Sequence, residues 1–528
     1  METTNKQRGE EAKAGELGTR SAFRIPHSAL HALLVAAIVL VPAIAYAPAL
    51  NRVFTVPDTL WYLAELGGST SLWDGLALVD YNRVSRFQQA DGILFRPLFF
   101  AWAAVQTSIG GYDHRAWNVG NLAAHVIVCL CLYALLIDIQ RSVFAGLAAL
   151  VFSVHLANFG LVTWNQTGLL PAFALILLSI LAARRLLKPD AVWTAGLVSA
   201  YLVAMTLANF AFELAVGIAA LVAALVVVRF RRIGGRPLVA RALLASLPFL
   251  LYTGAYGLRL WLAGDSLHFG DRSAPGAWQT VESAGRVFAE FLRRFVAFGG
   301  FNYVSIPYEV PGMGHTLSWS RPASGVSQLI AVGVVWVGWR GVSARTLRSR
   351  AFTIALVSLA MAGYALLLCL GRGYHEAASQ THYAYLFCLL ATVCVYALVD
   401  WDALDPRHRR WLTALLLAAV ALVGWLVADY ARGVHRANAA ADAYLTSVAR
   451  YVERHAGEPG FSFRMAGPPS ELDPPVVLIE GRQDDADAPR IHTRASEILF
   501  ARYYRTENPR YLLHWTGEEI VAEEEGTK

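Results

Sequence analysis

The chain has 528 residues, of which 56% are hydrophobic and 16% charged, with a mean hydropathy of +0.43. A soluble domain carries about a quarter of charged residues, so this balance excludes an ordinary soluble enzyme and reads as a polytopic membrane protein. The net charge of +6 is no nucleic-acid signature either, because the arginines gather at the ends of apolar runs, where they set topology.

In chain order, residues 1–28 form a polar, basic tail without a cleavage-site pattern. The apolar run after it is long enough to span, so it reads as an uncleaved first helix rather than a signal peptide. Spanning runs of about 20 residues are predicted at 29–50, 116–137, 142–157, 166–186, 191–208, 212–230, 240–263, 325–340, 351–371, 381–400 and 410–430. The expected fold is therefore an all-α polytopic protein of about eleven transmembrane helices over 29–431, with a small α/β domain over 432–528. A shorter apolar piece at 97–109 reads as re-entrant or interfacial. All five cysteines lie in apolar segments, which supports neither a disulfide framework nor a metal site.

Four connections are strongly basic: Arg184 to Lys188, Arg229 to Arg232, Trp339 to Arg350, and Arg407 to Arg410. Eleven helices and a cytoplasmic N-terminus put all four on the cytoplasmic side, as the positive-inside rule requires. Loops 51–96 and 264–324 then face outward in an inner (plasma) membrane, as does the tail from Arg432. Loop 264–324 contains an amphipathic piece, Val287 to Phe298, suited to a membrane surface, and a Pro/Gly-rich remainder that reads as an irregular lid. In the tail, helices near 436–455 and 491–504 and strands at 476–479 and 510–515 are expected, before the acidic run Glu523-Glu524-Glu525.

Polar residues converge on the outer side. Asp58 lies just beyond the first helix, and Arg96 precedes the re-entrant piece. Asn118, Asn121 and His125 are spaced i, i+3, i+7 and share a helical face. His155 and Asn158 end the third helix, Asn209 and Glu213 flank the turn between the fifth and sixth, and Arg372, His375, Glu376, His382, Tyr383 and Tyr385 crowd the ends of the ninth and tenth. Ionisable groups at a bilayer need a reason. An anionic head on a lipid tail supplies one, since arginine grips phosphate in a bidentate fork and a carboxylate can take the proton of an attacking hydroxyl or amine. Each member also has a plain reading: Asp58 as a solvated loop acid, Arg96 as a residue reaching headgroups, His125 as a packed helix residue, Glu213 as an ordinary turn acid. Asn165-Gln166-Thr167 fits a glycosylation sequon that is too short to be informative.

Several segments carry a family resemblance. Phe95-Arg96-Pro97-Leu98, Gly110-Gly111-Tyr112 and Trp117-Asn118-Val119-Gly120-Asn121-Leu122-Ala123-Ala124-His125 resemble the "RPL … G … N-L-x-x-H" pattern of GT-C glycosyltransferases, in the O-mannosyltransferase-like branch and its bacterial relatives. Ala148 to His155, through Trp164, is similar to that branch's "A-L-x-F-x-x-H-P … E-x-V-x-W". Ala211-Phe212-Glu213 falls at its "S-K-E", and Thr381-His382-Tyr383-Ala384-Tyr385 at its "E-R-Y-x-Y". The chain departs from the pattern at Pro57, where the family's "F-x-x-D-D" has its first acid, and at Leu156, Phe212 and His382.

The resemblance implies an enzyme that takes a sugar from a polyprenyl-phosphate donor on the outer face. Asp58 would be its catalytic carboxylate, acting as base or orienting the acceptor. Arg96, Asn118, Asn121, His155, Glu213, Arg372, His382 and Tyr385 would line the substrate cavity. The resemblance leaves a divalent cation open as a cofactor, with only the thin ligand set of Asp58 and Glu213. The expected partners are the lipid-linked sugar and membrane lipids. An O-antigen polymerase or ligase, a transporter or flippase, and a catalytically degenerate scaffold are the alternatives.

Overall fold

The computed structural model of the chain describes residues 27–51, 62, 69–77, 96–111, 113–163, 168–188, 192–213, 215–231, 235–263, 277–296, 304–305, 316–317, 321–379, 381–455, 463–465, 511–515 and 520–524. Its helices are α1 (His27–Tyr46), α2 (Leu72–Ala77), α3 (Pro97–Gly110), α4 (His114–Ile139), α5 (Val143–Ser153), α6 (Phe159–Val162), α7 (Leu169–Leu186), α8 (Ala195–Ala211), α9 (Ala215–Phe230), α10 (Gly235–Ala263), α11 (Ala277–Val296), α12 (Arg321–Trp339), α13 (Ala344–Ser349), α14 (Ala351–Ser379), α15 (Thr381–Leu398) and α16 (Pro406–His455). A helix lies in each of the eleven apolar segments. Among the described residues six helices are long and apolar enough to cross a membrane, or seven if the bent pair α5–α6 is one span; α8, α9, α12 and α15 contribute shorter apolar stretches.

The centre of the bundle is apolar and continuous. It runs from α1 and α4 through α5 and α7 to α15, with Ile38, Val128, Leu132, Ile176, Leu177 and Leu389 fully buried. The outward faces stay apolar too, with Leu33, Ile44, Val203, Leu251 and Trp336 all exposed, as expected where lipid rather than water is the solvent. The cysteines are unbridged and sit inside helices as small packing residues.

The break between α5 and α6 bends the chain by 50°, and no proline or glycine causes it. Polar side chains take over the hydrogen bonds that the helix end leaves open. Asn158 donates to the Phe152 carbonyl, His125 Nε2–H donates to the Ser153 carbonyl at 2.8 Å, and His155 Nδ1 accepts the Ala157 N–H at 3.2 Å. Gly168, at the start of α7, abuts the first turn of α3; a Cβ there would lie 2.7 Å from the Phe99 Cα. That close approach seats the residue just before α3, Arg96, against the bundle.

Two elements are longer than their hydropathy predicts. Helix α14 continues through the polar stretch 372–379, where a loop at 371–381 is expected from the sequence, so Arg372 is helical. Helix α16 runs unbroken for 50 residues and joins the segments expected separately at 410–430 and 436–455. Hydropathy falls at Arg432, but the alanine-rich run 437–442 keeps helix propensity high. Helix α11 covers Ala277–Val296, more than the amphipathic piece read from the sequence; it lays Ala284, Val287 and Phe291 into the bundle and leaves Trp278 and Val281 exposed.

Strands β1 (Val304–Ser305) and β2 (Thr316–Leu317) pair antiparallel. In a three-stranded sheet, β4 (Tyr511–Trp515) lies parallel to β3 (Phe463–Met465) and antiparallel to β5 (Ile520–Glu524). β4 coincides with the strand expected at 510–515. The strand at 476–479, the helix at 491–504, most of loop 51–96, the Pro/Gly-rich part of loop 264–324 and the sequon lie outside the described residues.

Candidate functional site

The helix termini sort to two ends of the bundle. One end gathers the four basic connections. Arg229 Nε donates to the Leu187 carbonyl at 3.3 Å, Arg350 reaches the Val399 carbonyl at 2.8 Å, and Arg409 caps the Leu404 carbonyl at 2.6 Å. The opposite end holds the end of α1, the starts of α3, α4, α7 and α15, and the turn between α8 and α9. Most of the candidate residues fall there.

At that end Arg96 and Glu213, 117 residues apart in sequence, form a two-point ion pair: Nε donates to Oε2 and Nη2 to Oε1. Arg96 is the N-cap position of α3, with Pro97 opening the helix, and Glu213 sits in the short turn after α8. The two side chains are 15% and 26% exposed, which leaves them within a ligand's reach although enclosed by protein. The guanidinium lies 5.4 Å from the centre of the Phe212 ring, a cation–π contact. Tyr252 of α10 and Tyr383 of α15 are close enough to feel the Arg96 charge, and Tyr364 of α14 feels both members of the pair. Burial works against the charged guanidinium, but Glu213 outweighs it and holds the Arg96 pKa above its ordinary value. Glu213 occupies one edge of the guanidinium, and the Nη1 edge is not engaged by that pair. The result is a fixed cation in an aromatic wall, chemically suited to an anion that carries an apolar chain.

The other candidates do different work. Asn118 is buried and donates to the Leu50 carbonyl at 3.0 Å. Asn121, also buried, accepts from Gln106 Nε2 at 2.9 Å, so α4 is tied to the end of α1 and to α3. His155 stacks on Phe295 of α11 and faces its carbonyl at 3.3 Å, pinning the amphipathic helix to the α5–α6 break. Tyr385 is fully buried, with its hydroxyl 2.7 Å from His125 Nδ1. Since the Ser153 carbonyl can only accept, His125 carries its proton on Nε2, and Nδ1 takes the tyrosine O–H. His125 is thus a packed residue of the core. Asn209 donates to the carbonyl of Pro248, inside α10, at 3.0 Å.

Tyr385 nonetheless connects to the ion pair. Its ring stacks on Phe173 at 5.2 Å, Phe173 meets Phe212 edge-on at 5.6 Å, and Phe212 lies beneath Arg96. Arg372 and His382 lie on α14 and α15 at the same end of the bundle. Asp58 lies outside the described residues. The sequence offered no signal for Tyr364, whose hydroxyl donates to the Tyr383 carbonyl at 2.9 Å; Phe212 was visible only as a departure from the family pattern. Both Glu213 oxygens face Arg96, and among the described residues no three histidine, cysteine or carboxylate side chains gather.

No family model matches the chain, and no curated protein does. Among solved structures, ArnT from Cupriavidus metallidurans bound to undecaprenyl phosphate is similar, with a TM-score of 0.48 and 12% identity over 92% of this chain and 93% of that one. The Archaeoglobus fulgidus oligosaccharyltransferase in its apo form is similar with a TM-score of 0.46 and 11% identity, over 92% of this chain and 69% of that one.

Proposed function

We propose that this chain is a membrane glycosyltransferase that moves a sugar from a polyprenyl-phosphate donor to an envelope acceptor, whether glycan, lipid or protein. The observation that carries this reading is the Arg96–Glu213 pair, set beside the Phe212 ring at one end of an apolar bundle. A phosphate ester on a long apolar chain needs this combination of a fixed guanidinium, aromatic walls and immediate access from lipid. The order of the motifs around Arg96, Asn118, Asn121, His155 and Glu213 supports the same class.

In the proposed reaction Asp58 accepts the proton of the acceptor's hydroxyl or amine. The freed lone pair attacks the anomeric carbon from the face opposite the phosphate. The bond from that carbon to the phosphate oxygen breaks, its electrons stay on the phosphate, and the configuration inverts. Arg96, with Arg372, neutralises the charge that grows on the leaving phosphate, the point at which a preorganised cation lowers the barrier most. Asn118, Asn121, His155, Glu213, His382 and Tyr385 line the substrate cavity. We place eleven spans in the inner membrane, with the basic connections in the cytoplasm and the Arg96 end, together with residues 432–528, in the periplasm.

Purified protein in lipid vesicles, incubated with radiolabelled polyprenyl-phosphate hexoses, pentoses and aminosugars plus envelope extracts, tests the proposal. Donor binding by wild type with turnover on one of the acceptors is the expected result. Absence of donor binding would sink it. Equal turnover by wild type and Asp58→Asn would instead favour an enzyme of the polymerase or ligase kind.

A further inference from the structure

The basic end of α16 carries a surface that the proposed transfer does not use. Arg407, Arg410, Trp411 and Ala414 recur at spacings of three and four residues and so share one helical face. With Asp405 and Pro406 they line a groove of about 690 Å³. Arg407 and Arg410 are exposed, and among the described residues neither guanidinium has a hydrogen-bond or ion-pair partner. The acid of the groove is already engaged: Asp405 accepts the His408 backbone N–H at 2.8 Å, and its other oxygen faces the His408 ring. The groove is therefore a site of net positive charge with two open guanidinium forks.

Along the same face, Ala414, Leu417, Ala418, Ala421 and Trp425 are all exposed and apolar. Trp411 to Trp425 spans about 21 Å of helix, within the roughly 30 Å hydrocarbon core of a bilayer. The neighbouring end of α12 extends the charged patch. Trp336 and Trp339 are exposed there, Arg340 lies 5.2 Å from the Trp336 ring centre, and Trp336 meets the His408 ring at 6.2 Å.

Two arginines one turn apart repel each other, and a phosphate between them turns that repulsion into two charge-assisted hydrogen bonds. Tryptophan is at home at headgroup depth, and an apolar track below it suits acyl chains. Basic pockets at helix ends on the cytoplasmic side take anionic headgroups for these reasons. We infer that this end of α16 binds an anionic phospholipid, with the phosphate between Arg407 and Arg410 and the acyl chains along Trp411 to Trp425. The inference needs α16 to span the membrane, and it is independent of the transfer reading.

The test uses the full-length protein in phosphatidylcholine nanodiscs with and without phosphatidylglycerol, with retained lipid counted by native mass spectrometry. Wild type is expected to keep phosphatidylglycerol in preference to phosphatidylcholine, and inorganic phosphate is expected not to displace it. An arginine near an anionic surface contributes roughly a factor of five, so Arg407→Gln with Arg410→Gln should weaken retention by about thirtyfold. Arg345→Gln with Arg348→Gln removes the same charge from the same end but outside the groove, and should leave retention unchanged. Arg407→Lys with Arg410→Lys keeps the topology-setting charge and loses the fork, so it should fall in between. Equal losses from the two glutamine pairs would overturn the inference in favour of diffuse attraction, as would equal retention of both lipids or release by inorganic phosphate. If the Arg407/Arg410 glutamine pair does not insert, the lysine pair and the two-lipid comparison decide: wild-type retention in the lysine pair overturns the inference.

Discussion

Where they are engaged within the bundle, the charges at its two ends have different partners. At the basic end, Arg350 donates to the Ala397 and Val399 carbonyls and to Gln140 Oε1, and Gln140 Nε2 reaches Asp400 at 3.2 Å and Asp402 at 2.8 Å. Arg184 binds Asp138 at 3.0 Å and Thr353 at 3.1 Å. These groups close helix termini, and much of what they bind is main chain, which cannot leave. At the other end Arg96 has a side-chain carboxylate for a partner and rings for walls. A cation held by backbone carbonyls is a fastener. One held by a single carboxylate has an edge for another anion.

The largest expected effect is that of the proposed base. Asp58→Asn should lower transfer by roughly a thousandfold, as for loss of a general base, while donor binding, measured in the same vesicles, stays intact. Arg96→Ala comes next: losing a charged fork on the phosphate should raise the donor Kd by roughly fiftyfold, with Arg96→Lys intermediate because it keeps the charge and loses the planar fork. If Arg96→Ala binds donor as wild type does, the contrast between the ends collapses.

Arg350→Ala should behave in the opposite sense. It should cost about 2 kcal/mol of stability, because charge-assisted bonds are lost and the Ala397 and Val399 carbonyls lose this donor, and transfer per folded molecule should not change. Thermal unfolding together with activity per active site checks this. Cap deletions should be alike at both ends. Asp113 accepts the Arg115 N–H at the start of α4 and Ser343 accepts the Thr346 N–H at the start of α13, and Asp113→Ala and Ser343→Ala should each cost about 1 kcal/mol. A much larger loss of transfer from Asp113→Ala than its stability explains would draw the cap into the site.

The smallest expected effect is a pH dependence on α11. Burial pushes the Glu290 carboxyl up, but Arg293 and Arg294 outweigh it and hold its pKa below the ordinary carboxylate value. A depressed folded-state pKa contributes stability above the unfolded value, and that contribution is lost as pH falls through the folded one. Unfolding midpoints measured from neutral pH downward should therefore drop less in Glu290→Gln than in wild type.

Much of the fold was legible because an apolar run in a membrane chain has few alternatives to helix. The boundaries were legible only where polarity and helix propensity change together. They part company at 372–379 and again at 432–442, and in both places the helix outruns its hydropathy. Arg96 and Glu213 each stood out as polar residues at a bilayer, but their pairing is a fact of tertiary structure that no local spacing encodes. Asn118, Asn121 and His155 show the converse. A buried amide or imidazole satisfies a backbone carbonyl as readily as a ligand, and here each is held by the protein itself. The i, i+3, i+7 spacing located the shared face of Asn118, Asn121 and His125, and was silent on what that face would meet.

The unbroken length of α16 sets a scale for the molecule. Fifty residues make a rod of about 75 Å, more than twice the roughly 30 Å that a bilayer core requires. The excess is a stiff mast whose far end, at Tyr451 and His455, meets the sheet through Tyr511. The clearance beneath the sheet is thus written in helical turns. Removing seven residues, close to two full turns, would lower the sheet by about 10 Å with little change of heading, whereas removing two would swing it through about 200°. The helix thus fixes both how far the sheet stands from the bundle and which way it faces.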